Sequence, residues 1–274
     1  MPWCVANEVS LHYELAGVGK RLLCISGTGG DLRQQPRLTD GPLAQSFEVL
    51  AYDQRGLGQS SVPPWPYAMA DFAHDAAALL DAVGWDDCLL LGLSFGGMVA
   101  QEVAIGHPGR VRRLVLACTS AGGVGGASYP LHELIDLSPE ERSAQRMELI
   151  DTRWDEAWRR THPDMVALMG ERMGLEGPGG GGGDPDPGLT NQLAARAAHD
   201  TASRLRAIAC PTLVCGGRFD GIAPPANSEF LAREIPGARL EMFDGGHGFF
   251  LQDAAAIPTI IAFLAKDTPV RDAP

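Results

Sequence analysis

Short apolar runs alternate with longer amphipathic stretches along most of this 274-residue chain, and this alternation constrains the fold more than any other feature. Runs typical of β-strands cover residues 9–15, 21–26, 47–52, 88–93, 111–118, 211–216 and 238–243. Helical patterns cover residues 69–83, 95–105, 225–235 and 254–264. Strands connected through helices pair in parallel and need cover on both faces of the sheet. The sequence therefore predicts an α/β fold with a mostly parallel central sheet flanked by helices.

The alternation stops between residues 122 and 205, where only helical patterns occur, at residues 139–151, 155–161, 165–173 and 189–205. We expect residues 122–205 to form a helical cap inserted between two parts of one core, residues 1–121 and 206–274. Inside this insertion, the stretch GPGGGGGDPDPG at residues 177–188 cannot hold a regular element, because glycine has high chain entropy and proline lacks an N–H donor. It predicts a mobile loop, acting either as a passive linker or as the hinge of a lid.

Charge and composition exclude several classes of protein. The chain has 22 Lys and Arg residues against 34 Asp and Glu residues, a formal net charge of −12. It lacks the clustered positive charge that binds nucleic acid or an anionic membrane surface, so neither is expected as a partner. No apolar run approaches the roughly 20 residues that span a bilayer, and the N-terminus lacks the pattern of an export signal. We therefore expect a cytoplasmic protein.

The six cysteines are scattered, with no C-x-x-C pair and no neighbouring paired histidines. Most lie in or beside apolar runs, where cysteine behaves as a small core residue. The sequence thus predicts no metal site, no cofactor and no disulfide framework.

The strongest local signal is GLSFGG at residues 92–97, directly after the apolar run 88–93 and at the start of a helical pattern. A turn this tight from strand to helix forces its central residue into a strained conformation and needs small residues two positions before and after it. Gly92 and Gly96 meet that need. The pattern predicts that the hydroxyl of Ser94 emerges at the carboxyl edge of the sheet as a nucleophile.

A serine hydroxyl needs a base and an orienting acid. Among seven histidines, His247 follows the last strand pattern within the glycine-rich turn FDGGHGFF, so we expect it to be the base. Asp220 follows the strand pattern 211–216 and is the expected acid. Asp244 is the competitor, but it lies only three residues from His247 and fits the turn itself. The other histidines are expected to be structural: His12, His74, His107, His132, His162 and His199.

Negative charge that develops on a tetrahedral intermediate needs fixed donors. We expect one donor to be the backbone N–H of Phe95 and the other to be that of Thr28, with Gly29 as the alternative, in the loop ISGTGGD. This loop does not bind phosphate, since both G-K-[ST] and the G-x-G-x-x-G spacing are absent. Gly29 and three apolar residues are candidates for contact with substrate, although each apolar one is equally suited to core packing: Met98, Trp154 and Phe249.

The motif YDQRGLGQS at residues 52–60 resembles the D-x-R-G-x-G-x-S turn of α/β-hydrolase-fold serine hydrolases. Residues 94–101 are similar to the S-x-G-G-x-x-A-Q elbow of small bacterial esterases, enol-lactonases and carbon–carbon-bond hydrolases. The resemblance spans nearly the whole chain and implies an α/β-hydrolase fold with the cap between its sixth and seventh strands. It also implies structural roles for Asp53 and Arg55.

The chain departs from this family at one position. The family often has histidine at the first position of the oxyanion loop, where this chain has Ser26. A backbone donor does not require that side chain, so activity should survive. Serine at position 94 disfavours the dehalogenase and epoxide hydrolase branches, which use a carboxylate nucleophile.

The sequence therefore predicts a hydrolase that cleaves carboxylic esters of small to medium, fairly apolar molecules without a cofactor. Two alternatives stay open. A lactonase or a carbon–carbon-bond hydrolase would use the same residues and would need a positively charged or hydrogen-bonding group for a substrate carboxylate, such as Arg33 or an arginine of the cap. A hydrolase-like receptor would bind its ligand without turnover. The sequence does not determine the oligomeric state.

Overall fold

The fold is known from a computed structural model that describes residues 2–172 and 186–267. Its strands are β1 (Trp3–Ala6), β2 (Val9–Ala16), β3 (Lys20–Ile25), β4 (Phe47–Tyr52), β5 (Cys88–Leu93), β6 (Val111–Ala117), β7 (Thr212–Gly217) and β8 (Arg239–Phe243). They form one sheet in the order β1-β2-β4-β3-β5-β6-β7-β8. Neighbours from β4 to β8 pair in parallel, while β1 and β2 continue the sheet as antiparallel strands. The predicted mostly parallel sheet is confirmed.

The helices lie on both sides of this sheet. They are α1 (Pro42–Ser46), α2 (Met69–Ala82), α3 (Phe95–Gly106), α4 (Pro139–Ile150), α5 (Glu156–Thr161), α6 (Pro163–Arg172), α7 (Pro187–Ala197), α8 (Pro225–Glu234), α9 (Phe249–Gln252) and α10 (Ala256–Ala265). Buried residues of α2, α3 and α8 join one core cluster, and those of α1, α9 and α10 join another.

The two core clusters occupy opposite faces of the sheet, as the side chains of β3 demonstrate. Leu22 and Cys24 pack in one cluster, whereas Leu23 and Ile25 pack in the other. Successive side chains of a strand point to opposite faces, so a strand that is covered on both sides reads as a continuous apolar run. This is why β3 was predictable from the sequence.

Strand β1 has no counterpart among the predicted strands. It pairs with β2 at the edge of the sheet, and only Ala6 of its four residues is buried. An exposed edge strand carries little hydrophobic pattern, so the sequence offers little sign of it.

The segment between β6 and β7 contains α4 to α7 and short 3-10 turns at residues 123–125, 131–136 and 205–207, and no described residue in it belongs to a named strand. Met147, Ile150 and Trp154 form a small apolar cluster there with Ile222 of the core. The helical character predicted for this insertion is therefore present. Its role as a cap stays a prediction.

Helix α7 ends earlier than the pattern over residues 189–205 predicts. The chain leaves the helix after Ala197, and the Asp200 carboxylate then accepts the N–H of Ala202 at 3.0 Å while Asp200 bridges to Gly122. An aspartate that bonds the backbone two residues ahead competes with the helix. At the other end, Gly188 lies inside the first turn of α7, while residues 177–185 of the expected mobile loop lie outside the described residues.

No helix in the described part of the chain combines the length and the apolar character that a bilayer crossing requires. Five of the six cysteines are buried, as expected of core residues.

Candidate active site

Ser94 stands at the turn between β5 and α3 with φ 52° and ψ −115°, a strained conformation for a residue with a side chain. The turn is so tight that neighbouring backbone leaves no room for a side chain two positions before or after Ser94. A Cβ at Gly92 would collide with the carbonyl oxygen of Gly96, and one at Gly96 would collide with the carbonyl oxygen of Ile25 at the end of β3. Glycine at both positions therefore allows the turn that exposes Ser94 at the carboxyl edge of the sheet.

Three side chains from separate loops meet at this edge. Ser94 Oγ lies 2.9 Å from His247 Nε2, and His247 Nδ1 lies 2.9 Å from Asp220 Oδ2. An ionised carboxylate only accepts hydrogen bonds, so this arrangement assigns the ring proton to Nδ1. The Nε2 atom is then free to accept the proton of the Ser94 hydroxyl.

The carboxylate of Asp220 is buried and held in a single orientation. Its Oδ1 atom accepts the backbone N–H groups of Ile222 and Ala223, each at 2.8 Å. Asp244, the competing acid, instead forms an ion pair with Arg153 at 3.0 Å, and its side chain is 73% exposed. Asp220 is thus the acid that contacts His247.

The loop that carries His247 is fixed at its backbone. The N–H of Gly246 donates to the side-chain oxygen of Gln252 at 2.8 Å, and the N–H of His247 donates to the carbonyl of Ile150. Gly246 packs so tightly that a Cβ there would collide with the same carbonyl. The imidazole therefore reaches Ser94 from a loop that has little freedom to move.

The loop after β3 forms a turn in which the N–H of Gly30 donates to the carbonyl of Gly27 at 3.2 Å. Thr28 and Gly29 occupy its centre, and Gly29 adopts φ +70°, as the third position of a type II turn requires. The N–H of Gly29 donates to the side chain of Gln192 at 2.9 Å. No described residue accepts the backbone N–H of Thr28 or Phe95, so these two predicted donors have no partner in the described chain.

The turn after β4 supports the same loop. Gln54 is buried and its Nε2 atom donates to the carbonyl of Ser26 at 2.9 Å. Asp53 accepts the N–H of Leu32 at 2.7 Å and that of Gln59 at 2.9 Å. Burial raises the pKa of Asp53, and these hydrogen bonds act against that rise.

A cavity of about 300 Å³ opens over the Ser94 hydroxyl. Its walls come from the loop after β3, the residues before α1, the α4 region and the loops that carry Asp220 and His247. The apolar lining residues are Leu32, Leu38, Leu93, Leu131, Ile150, Ile222, Phe250 and Leu251. Cys118 also lines it, and burial raises the pKa of its thiol well above the usual range, so the thiol stays protonated at neutral pH.

The residues expected to contact substrate do not line this cavity. Met98 and Phe249 are buried in the two core clusters, and Trp154 packs behind Ile150 and Ile222. Gly29 lies beside the lining residue Thr28, with its N–H turned towards Gln192. These large apolar side chains fill the apolar clusters around the site, and other residues form the cavity wall.

Two arginines of the cavity lining were not identified by number from the sequence. Arg37, which pairs with Glu14, and Arg146 of α4 both face the cavity, whereas Arg33 pairs with Asp31 at 2.5 Å and is not part of the lining. Burial and the neighbouring Arg142 lower the pKa of Arg146. The guanidinium-bearing side chains of Arg37 and Arg146 thus both form part of the cavity wall.

Nothing in the described chain suggests a metal centre: residues 2–172 and 186–267 hold no cluster of three or more His, Cys, Asp or Glu side chains that could bind an ion. The site brings together a hydroxyl, an imidazole, a carboxylate and two unpartnered backbone donors.

Comparisons with known proteins agree with this architecture. Residues 20–154 match the family model described as alpha/beta hydrolase fold. A poly(3-hydroxyalkanoate) depolymerase from Ectopseudomonas oleovorans is 30% identical over 249 residues, which cover 90% of this chain and 84% of the relative. A 2-hydroxymuconate semialdehyde hydrolase from a Pseudomonas strain is 32% identical, with 96% of this chain and 93% of the relative covered.

Among solved structures, an enol-lactonase from Burkholderia xenovorans superposes with a TM-score of 0.78 at 24% identity, covering 97% of this chain and 100% of that one. At this identity the likeness supports the fold alone. The alignments cover 84% of the depolymerase and 93% of the semialdehyde hydrolase, and these two relatives are named for different hydrolytic activities. The chain belongs to the alpha/beta hydrolase fold family and is a hydrolase of that family.

Proposed function

We propose that this hydrolase cleaves carboxylic esters of small to medium, largely apolar molecules through an acyl-enzyme on Ser94. The observation that carries the proposal is the pair of hydrogen bonds that links Ser94 to His247 and His247 to Asp220. The Ser94 end of this arrangement lines the cavity. A serine next to a base that is itself oriented by a carboxylate is the arrangement that activates a hydroxyl as a nucleophile.

In the first step, Ser94 Oγ attacks the ester carbonyl carbon while His247 Nε2 takes the hydroxyl proton. The tetrahedral intermediate collapses when His247 returns that proton to the leaving alcohol oxygen. Asp220 stays ionised throughout, holds Nδ1 protonated and stabilises the imidazolium that forms.

In the second step, water replaces the alcohol. His247 takes a proton from this water, the hydroxide attacks the acyl carbon, and the proton passes to Ser94 as the carboxylic acid leaves. The same donors serve both tetrahedral intermediates. The unpartnered N–H groups of Thr28 and Phe95, on either side of Ser94, are proposed to hold the oxyanion.

The cavity lining supports a substrate with a modest apolar acyl group. Eight apolar side chains line a volume of about 300 Å³, the lower end of the range for small-molecule pockets. The depolymerase relative is named for a poly(3-hydroxyalkanoate), which is consistent with ester cleavage.

The decisive experiment compares Ser94→Ala with Ser46→Ala, a matched change at an exposed serine of α1. With p-nitrophenyl butyrate, Ser94→Ala should lower kcat by about 10⁶-fold and Ser46→Ala should leave it unchanged. A fluorophosphonate should label the native chain at residue 94 alone. Full turnover in Ser94→Ala would overturn the proposal, and ligand binding without turnover in the native chain would indicate a receptor.

Arg37 and Arg146 favour a second candidate, a lactonase or carbon–carbon-bond hydrolase whose substrate carries a carboxylate. A guanidinium on the cavity wall can bind such a group through paired hydrogen bonds. Mono-p-nitrophenyl glutarate and p-nitrophenyl butyrate differ mainly in this terminal charge. For the second candidate, Arg146→Met should lower kcat/KM for the glutarate ester about 100-fold and leave the butyrate ester within twofold. An equal effect on both esters would favour the neutral-ester function.

A further inference from the structure

Helix α7 contacts the oxyanion loop through one buried side chain. Gln192 is fully buried, and its Oε1 atom accepts the backbone N–H of Gly29 at 2.9 Å, across 163 positions of the chain. The donor is a backbone N–H, so the facing atom of the amide must be its oxygen. Breaking a buried hydrogen bond of this kind is costly, because one partner is left unsatisfied.

This hydrogen bond holds the central peptide of the turn, the one that joins Thr28 and Gly29. In a turn centred on Thr28 and Gly29, types I and II differ by a flip of the peptide that joins these two residues. The N–H of Gly29 belongs to that peptide. By accepting it, Gln192 holds the type II form that φ +70° at Gly29 reports.

The side chain of Gln192 is itself carried by a helix with close backbone contacts to the core. Gly188 in the first turn of α7 lies so near Gly56 that a Cβ at either position would collide with the other. Leu189 lies within van der Waals contact of the place a Cβ of Gly29 would occupy, at 3.6 Å. The helix is therefore placed by the turn after β4 on one side and by the oxyanion loop on the other.

We propose that Gln192 is a positioning residue: by holding the peptide between Thr28 and Gly29 it anchors the turn of residues 27–30, and so keeps the neighbouring Thr28 N–H in place at the oxyanion. This inference rests on the proposed ester hydrolysis. In this role, the segment between β6 and β7 contributes to the stabilisation of the transition state. Gln192 contacts the oxyanion loop and does not line the cavity. Loss of the contact should weaken oxyanion binding in the tetrahedral states more than it weakens binding of the planar ester.

The test is Gln192→Met, which removes the acceptor and keeps the length of the side chain. The matched control is Gln145→Met on α4, where the amide is exposed and donates to the Tyr129 hydroxyl. With rates expressed per active site by fluorophosphonate titration, Gln192→Met should lower kcat about 10- to 100-fold, part of the loss of about 10²- to 10³-fold expected when an oxyanion donor is removed. KM should stay within about twofold, as for an interaction made only in the transition state.

A trifluoromethyl ketone supplies the readout that a merely structural role would not move. Its carbonyl adds the Ser94 hydroxyl to form a tetrahedral adduct, so its inhibition constant should rise in Gln192→Met by the same factor as kcat falls. Gln192→Asn, which is one methylene too short to reach Gly29, should behave alike and serves if the first variant folds poorly. Native kcat and ketone affinity in folded Gln192→Met would overturn the inference, as would a loss of rate that disappears once rates are expressed per active site.

Failure of the inference and failure of the proposed function are distinguishable. If Ser94→Ala loses turnover while Gln192→Met keeps it, ester hydrolysis stands and the positioning role falls. If Ser94→Ala keeps turnover, both fall.

Discussion

Asp220 contacts His247 through Oδ2 at 2.9 Å, while its Oδ1 atom, at 3.0 Å from the same ring nitrogen, is engaged by two backbone N–H groups. Because those N–H groups require an acceptor, they determine how an amide would sit at this position. The oxygen of an asparagine would stay with the backbone donors, and its NH₂ group would face the imidazole.

Asp220→Asn should therefore force His247 to accept at Nδ1 and to carry its proton on Nε2, the atom that we propose acts as the base. We expect kcat to fall about 10⁴-fold with little change in Tm. Asp244→Asn, a matched change at an exposed aspartate near His247, should leave kcat unchanged. A loss of less than tenfold in Asp220→Asn would contradict the assigned proton position.

Gly96→Ala tests the close packing under Ser94, the proposed nucleophile. The added Cβ would collide with the carbonyl of Ile25 and meet that of Ser26 at 2.5 Å, so β3 and the oxyanion loop would have to move. Unfolding in urea should show a loss of about 1–3 kcal/mol or more, with kcat reduced in the molecules that fold. Gly106→Ala, at the other end of α3 with no atom within 4 Å, is the control and should keep full stability. Equal stability of the two variants would refute the steric argument.

Arg55 and Asp75 form a buried pair with two hydrogen bonds of 2.7 Å, behind the turn after β4. Arg55→Met should cost about 3–5 kcal/mol in the free energy of unfolding, because the buried Asp75 carboxylate loses its charged partner and keeps only the hydrogen bond from Asn7. Arg112→Met removes one half of a surface pair with Asp87 and should cost about 1 kcal/mol or less. Similar losses in the two variants, measured by urea titration at pH 7.5, would rule out the special cost of the buried pair.

His199, two residues after the end of α7, provides a prediction about pH. Burial lowers its pKa to about 4; the carboxylates of Glu102 and Asp200 oppose this effect, and Arg204 adds to it. The unfolded chain binds the proton near pH 6.5, so stability is complete above this pH and is lost as the pH falls towards 4. The loss should reach about 2 kcal/mol at pH 5.

His199→Phe keeps a ring of similar size and cannot be protonated. The difference in unfolding free energy between the native chain and this variant should shift by about 2 kcal/mol in favour of the variant between pH 7.5 and pH 5. A difference that does not vary with pH would show that His199 does not titrate on unfolding.

Much of the fold was predictable because its signals are local. The runs at residues 47–52 and 88–93 coincide with β4 and β5, since strands covered on both faces must be apolar throughout. The elbow at Ser94 was equally readable, because the collisions that exclude a Cβ at Gly92 and Gly96 leave only glycine at those positions. Strand β1 and the end of α7 were not readable, because edge exposure and a single aspartate bond decide them.

The sequence by itself determined the layered α/β fold and which serine, histidine and aspartate follow strands at one edge of the sheet. Strand period and glycine spacing are local patterns, and the order of the strands along the chain is read directly. Only the tertiary structure decided which side chains face the cavity. Met98 and Phe249 fill the core, whereas Arg146 lines the cavity and Gln192 holds Gly29 from 163 positions away. Contacts between distant segments depend on how the helices pack against the sheet, and no local sequence pattern specifies that packing.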